Sequence, residues 1–167
     1  MTPLQEMIFI GEIVLQSKIL FKANDRLSAA LEANDQIEIW SSLQSVLVAS
    51  GNISKILWPS KKYADRGASL RKILKIENNN PLSSRTFRNH FEHYDERIEE
   101  WFLLHQVGSY IDLSTNPSLM RSFPRSDHRG YNSFNNTLKF RDEILDLNEI
   151  ITVVQQIYQN CRPYTLM

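Results

Sequence analysis

Residues 84–106 read SRTFRNHFEHYDERIEEWFLLHQ, the longest polar–apolar pattern with helical spacing in the chain. Phe87, Phe91, Tyr94, Ile98 and Trp101 recur at alternating steps of four and three, which places them on one stripe of an α-helix. No glycine or proline interrupts the run, and Pro81, Ser83 and Ser84 ahead of it supply a start signal. At about 100° per residue, Arg88, Asn89, Glu92, His93 and Glu96 all fall off that stripe. The pattern predicts one continuous helix with an apolar side for the core and a second side crowded with hydrogen-bonding groups.

Upstream, Leu4, Met7, Ile8, Ile13, Leu15, Ile19, Leu20, Leu27 and Leu31 predict one long amphipathic helix, or two broken near Ala23-Asn24-Asp25. Asn34-Asp35 ends it. Asp35 and Glu38 have capping-box spacing and open a second helix through Ile37, Trp40, Leu43, Val46 and Leu47, which Gly51-Asn52 would bend or divide. Residues 63–76 read as a third helix with Leu70, Ile73 and Leu74 inward, and Asn78-Asn79-Asn80-Pro81 as a turn.

Downstream, residues 108–113 have the character of a short strand and 114–127, with Pro117 and Pro124, of a loop. Residues 130–140 read as a small hairpin or an irregular excursion. Asp146 with Glu149 offers a second capping box, opening a last helix through Ile150, Ile151, Val154, Ile157 and Tyr158 that stops at Pro163. There is no internal repeat and no linker long enough for a second domain. The expected fold is all-α, a bundle of about five helices with a short β-like or loop insertion before the last, and residues 1–167 form one domain.

Composition narrows the function classes little. At 167 residues and 19.5 kDa, with 42% hydrophobic and 23% charged residues, the chain is long enough for one real core. Lys plus Arg and Asp plus Glu each total 19, so net charge selects no partner. The single cysteine, Cys161, rules out an internal disulfide and an all-cysteine zinc site, and His105 and His128 show no metal-ligand spacing. Trp40, Trp58 and Trp101 read as core. The apolar run at residues 7–15 is interrupted by Glu12 and falls short of the roughly 20 apolar residues that span a bilayer. No basic segment precedes it, so no targeting signal, no membrane segment and a cytoplasmic address are expected.

Charge is segregated locally. Residues 55–75 hold seven basic side chains against one acid, Asp65, and Arg121, Arg125, Arg129, Lys139 and Arg141 form a second basic group. Either these are solvated surfaces or they form a basic rim that collects a polyanion, in which case Lys61, Lys62, Arg71 and Lys72 contribute to RNA affinity.

The chemistry concentrates in Arg88-Asn89-His90-Phe91-Glu92-His93. Arginine offers a planar fork of donors for a phosphate, and histidine exchanges a proton near neutral pH. An asparagine one turn before His93 can orient the imidazole or hold a ribose hydroxyl. The trio is a sufficient kit for RNA cleavage without a metal.

At these residues the chain resembles the HEPN superfamily (higher eukaryotes and prokaryotes nucleotide-binding domains). Its members are helical bundles whose signature is Arg, four to six residues, then His, often with Asn, Asp or His directly after the Arg. Arg88, Asn89 and His93 match at the shortest spacing. The resemblance implies an endoribonuclease that needs no metal and no cofactor, with the active site at a homodimer interface. It also implies a toxin–antitoxin, antiviral or phage-defence setting, with RNA, a second copy and an antitoxin or other protein as partners. His93 would transfer protons, Arg88 bind the scissile phosphate and Asn89 position substrate or histidine. The alternative from a different class is a non-catalytic HEPN-like module that dimerises and binds a nucleotide, RNA or a partner protein.

Two features depart from the pattern. Some toxin members carry a Tyr two residues beyond the His, where this chain has Asp95, and Tyr94 adjoins His93 instead. Glu92, Glu96, Glu99 and Glu100 crowd the signature and would repel an RNA backbone unless paired or turned away. On a continuous helix Arg88 and His93 stand about 140° apart around the axis, so a single copy clamps one phosphate poorly. The blander reading makes Arg88–Glu92 and His93–Glu96 ordinary surface pairs.

Overall fold

The computed structural model describes residues 1–84, 86–105, 110–116, 128–141 and 143–165, with the backbone alone at 86–88. The chain divides into two compact units, Met1–Arg85 with Glu149–Met167, and Thr86–Asn148.

The first unit is helical. Helix α1 (Pro3–Ala33) begins with a complete capping box: Thr2 accepts from the Gln5 amide, the Gln5 side chain accepts from the Thr2 amide, and Pro3 stands where no donor is needed. It ends on Asn34, whose left-handed backbone (φ 54°) closes the last turn. The break near Ala23 does not occur, because one inward series of Ile10, Ile13, Ser17, Leu20, Ala23, Leu27 and Ala30 runs straight through it. Leu4, Met7, Ile8, Leu15 and Ile19, grouped with the inward face by the sequence pattern, are exposed. Both sides of α1 carry apolar residues at helical spacing, so periodicity alone could not choose between them.

Helix α2 (Gln36–Leu57) returns antiparallel to α1, as Arg26–Glu38 (3.2 Å) and Asn52–Gln16 (3.2 Å) show. Asp35 caps it through the Glu38 amide at 3.0 Å, one half of the capping box its spacing predicts, while the Glu38 carboxylate turns to Ser42 and Arg26. Gly51 stays within the helix and does not divide it, whereas Ile37 faces outward, contrary to expectation. Buried Ser17, Ser42 and Ser50 bond within their own helices, to Ile13 O, the Glu38 carboxylate and Leu47 O, whereas the buried Ser54 hydroxyl has no partner among the described residues.

A 3-10 turn at Lys61–Tyr63 leads into α3 (Ala64–Ile73), shorter than the sequence predicts because Lys75 adopts a positive φ of 53°. Leu70 and Leu74 are buried. Gly67 lies so close to the preceding chain that an added Cβ would stand 2.6 Å from the Leu57 carbonyl oxygen and overlap the Pro59 ring. Gly67→Ala is therefore expected to lower stability by about 1–3 kcal/mol despite alanine's better helix propensity. Urea unfolding at equilibrium checks this, and an unchanged or raised midpoint would show that the approach is looser.

Helix α6 (Leu147–Cys161) gives Ile150, Val154, Ile157 and Cys161 to the first unit, with Tyr158 edge-on to Phe21 at 5.6 Å. Asn160 donates to Leu74 O (2.9 Å) and Tyr164 to Ile73 O (3.3 Å), fixing α6 to the end of α3. Burial pushes the Cys161 thiol up to about 12. Pro163 sits in a closing 3-10 turn at Arg162–Tyr164.

The chain is mostly helical, as expected, but the β-like insertion expected before the last helix is a full four-stranded sheet in the second unit, so the fold is not all-α. That unit holds α4 (Thr86–Glu92) and α5 (Tyr94–Leu104) together with the sheet. Strands β1 (Ser114–Thr115), β2 (Arg129–Asn132), β3 (Thr137–Phe140) and β4 (Glu143–Asp146) lie in sequence order, β1–β2 parallel and the other pairs antiparallel. The 130–140 segment is thus a hairpin, with Tyr131 opposite Leu138 and both buried. Strands of two to four residues are too short to show the alternation by which strands are read from sequence. The short strand expected at 108–113 instead lies at Ser114–Thr115, inside the loop expected at 114–127, of which residues 117–127 lie outside the described residues.

The continuous helix expected at 84–106 is likewise two helices, broken at His93 (φ −112°, ψ 42°). The His93 amide still donates to Asn89 O, and Arg97 to His93 O, at 3.0 and 3.2 Å. The break therefore loses no hydrogen bond at that residue, and no glycine or proline marks it. Among the described residues no helix is long and apolar enough to cross a membrane.

Candidate functional site

His93 stands at the joint between α4 and α5 with 52% of its side chain exposed. Its Nδ1 is 3.4 Å from Glu96 Oε1, an ion-pair separation across one turn. Asn89, half-buried, precedes it in α4, and the side chain of Arg88 lies outside the described residues. Because α4 and α5 are separate helices, the 140° separation of a continuous cylinder does not carry across the joint. The acids that crowd the signature divide into two groups. Glu100 is held by Arg97 and by Arg141 (3.3 Å) and is half-buried, and Glu92, Asp95, Glu96 and Glu99 are exposed, with Glu96 beside His93.

The basic set divides similarly. Lys61, Lys62 and Lys72 are exposed on the first unit. Arg71 is committed to structure: its guanidinium donates to Asn78 Oδ1 (3.1 Å) and to Leu57 O, and lies 5.6 Å from the Trp58 ring centre. A depression between the 75–81 turn and α6 is lined by Lys75, Asn79, Asn80, Gln156 and Asn160. Asn80 caps Leu82 and Asn160 holds Leu74, so two of these amides already serve the turn.

A second cluster, which sequence reading missed, lies inside the Thr86–Asn148 unit. Arg129 makes a two-pronged bond to Asp112, Nε to Oδ1 at 2.9 Å and Nη2 to Oδ2 at 2.6 Å, with Arg129 only 10% exposed. Tyr110 donates to Asp112 Oδ2 at 3.1 Å. Burial by itself would raise the Asp112 carboxyl, but the bonds and charge of Arg129 outweigh it and hold the group below its ordinary value. Burial, reinforced by the neighbouring Asp112 charge, pushes the Tyr110 phenol up to about 12. The Arg129 guanidinium also lies 5.8 Å from the ring centres of Phe91 and Tyr94, so it ties the sheet to both short helices.

Beside this pair His128 is fully buried, 5.6 Å from the Tyr110 ring and 4.9 Å from Phe140, centre to centre. Neither of its ring nitrogens has a hydrogen-bond partner among the described residues. Burial lowers its pKa to about 4, with Asp112 opposing and Arg141 and Arg129 reinforcing, so the ring is neutral at pH 7. His90 stacks on Phe140 at 4.2 Å and donates to Glu143 at 3.1 Å, and His105 stacks on Trp101 at 4.6 Å. Three histidines are thus parts of an aromatic core, and His93 is the one that faces solvent. The Asp112–Arg129 pair is separated by 17 positions, so no local spacing announces it.

Among the described residues no group of three or more His, Cys, Asp or Glu side chains is placed to hold a metal. Comparisons with protein-family models, with curated proteins and with solved structures find no match for this chain.

Proposed function

We propose that the chain is a HEPN-type endoribonuclease that cuts RNA without a metal, with Arg88, Asn89 and His93 as its working residues. The observation that supports this is the pairing of His93 Nδ1 with Glu96 on a side chain half open to solvent. A carboxylate at Nδ1 favours the tautomer that carries its proton there and leaves Nε2 as the base. Nε2 takes the proton of a ribose 2′-hydroxyl, whose oxygen attacks the adjacent phosphorus. The bond to the 5′-oxygen breaks, and the proton passes to that leaving oxygen, giving a 2′,3′-cyclic phosphate and a 5′-hydroxyl end. Arg88 neutralises the charge that builds on the phosphate, and Asn89, one turn before His93, holds the ribose or the imidazole. A second copy brings a second signature to the site, and the setting is a cytoplasmic toxin or phage-defence system with an antitoxin or other protein partner.

Cleavage of RNA in EDTA tests the reading. Wild type is expected to cut, and His93→Ala to lose about 100-fold or more of the rate, the scale of one proton-transfer group. Arg88→Ala should fall comparably, with both variants still folded by circular dichroism. Equal cutting by all three proteins identifies a contaminating nuclease and overturns the proposal.

The exposed acids Glu92, Asp95 and Glu99 favour a second reading, a non-catalytic module of the same type that dimerises and holds a nucleotide, RNA or a protein. A wild type that binds such a partner but never cuts supports that reading instead. If Lys61, Lys62 and Lys72 steer RNA, their joint replacement by alanine weakens binding and flattens its salt dependence.

A further inference from the structure

Tyr94 directly follows His93, and its surroundings differ from those its place in the sequence pattern predicts. On an unbroken helix it shares the apolar stripe with Phe91, Ile98 and Trp101. The helix is instead broken at His93, Tyr94 opens α5, and it is 51% exposed while Trp101 is buried. Its ring is nevertheless held. The Arg129 guanidinium lies over it, 5.8 Å from the ring centre, and Arg129 is itself fixed by its two-pronged bond to Asp112. Because the Arg129 side chain is nearly closed off from water, it backs the ring from the protein side and leaves the opposite face to solvent.

No comparable ring stands beside His93 among the described residues. Phe91 is half-buried, Tyr131 and Phe140 are buried, and Phe102 packs on Trp101 and Tyr110. Phe134 lies in the turn between β2 and β3, roughly 15 Å along the strand from Arg129 at about 3.3 Å per residue. The charges near Tyr94 narrow what can meet it. Glu92 and Asp95 are exposed on either side of the joint and repel phosphate oxygens. They do not oppose the uncharged face of a nucleobase, which gains its contact by stacking on a ring. Consecutive Cα atoms are about 3.8 Å apart, so a ribose held at His93 carries its base within reach of the next side chain.

We propose that Tyr94 takes the base of the nucleotide whose 2′-hydroxyl His93 deprotonates, stacking it on the open face of its ring. Purines, with the larger stacking surface, are then preferred at that position. The proposal rests on the ribonuclease reading and adds to it a residue that holds substrate without exchanging a proton.

A short mixed-sequence RNA that wild type cuts in EDTA is the probe, made again with the base removed from the ribose at the cut. Wild type is expected to lose about tenfold in kcat/KM on the abasic RNA, chiefly through KM. Tyr94→Leu, which keeps an apolar side chain beside Arg129, is expected to cut both RNAs alike, at the efficiency wild type shows on the abasic one. Tyr94→Phe keeps the ring and should behave as wild type. A purely structural role lowers both substrates together and leaves their ratio at the wild-type value, so that result overturns the proposal. A wild type indifferent to the missing base overturns it as well. A measurement independent of any change at Tyr94 uses 5-iodouracil at the same ribose and the His93→Ala protein, which binds without cutting. Photocrosslinking to Tyr94 is expected, and a crosslink elsewhere, or none, counts against the proposal. A wild type that cuts no RNA in EDTA ends the ribonuclease reading and this proposal with it, whereas the other adverse results end this proposal alone.

Discussion

Replacing Asp112 by alanine is expected to destabilise the chain by about 3–5 kcal/mol, the range found when one partner of a buried ion pair is removed. The magnitude follows from what is left behind. Arg129 would keep its charge in a nearly closed site after losing both of its hydrogen bonds to the carboxylate. Tyr110 would lose its acceptor, and the Leu113 amide would lose the Asp112 Oδ1 bond of 2.9 Å. The pair itself is a poor source of net stability, because both charges surrendered their hydration to form it. A double variant, Asp112→Leu with Arg129→Met, is therefore expected to recover much of the loss. Chemical denaturation of the three proteins measures this. An Asp112→Ala change costing under about 1 kcal/mol would mean that water reaches the guanidinium readily. A double variant worse than the single one would mean that the geometry of the pair, rather than its charge, holds the sheet to the helices.

Acidification is expected to weaken the fold through His128 by up to about 3 kcal/mol between pH 6.5 and pH 4. In the folded chain the imidazole resists protonation until about pH 4, whereas the unfolded chain takes the proton near 6.5. Between those values the unfolded state binds a proton that the folded state refuses, so stability falls as pH falls, and the loss levels off below pH 4. Asp112 acts in a lower window: its carboxyl is held below the ordinary value, so its contribution disappears only under stronger acid. The charges facing His128 are Asp112 and Glu100 on one side of the balance and Arg141 and Arg129 on the other. His128→Leu keeps the site apolar and is expected to flatten the decline between pH 6.5 and pH 4. Urea midpoints measured across that interval decide the matter. An unchanged slope in the leucine variant would place the acid sensitivity elsewhere.

What the sequence made legible was whatever the chain repeats or punctuates. Asp35 before Glu38, Asn34 at the end of α1 and the apolar series of α6 each combine a period with a cap, and the helices stand where these signals put them. The strands carry no such redundancy. With two to four residues each, their evidence is pairing between Gly130 and Lys139 or Ser114 and Gly130, which a single sequence does not display. The break at His93 hid for a related reason, since the apolar stripe and the i to i−4 hydrogen bonds continue through it. At the candidate site, the link from His93 to Glu96 was readable because three residues on a helix are neighbours in space. The commitment of Arg71 to Asn78 and Leu57 was not, because a basic residue looks the same in sequence whether it faces solvent or a carbonyl.

Burying Cys161 has a practical corollary. It is the sole cysteine of the sequence, and with its thiol held near 12 almost none of it is thiolate at neutral pH, so it is shielded from electrophiles twice over. Any cysteine introduced at the surface would take a maleimide dye nearly alone in the folded protein. Fluorescence distance rulers can therefore be attached to either unit without first rebuilding the interior around a missing sulfur.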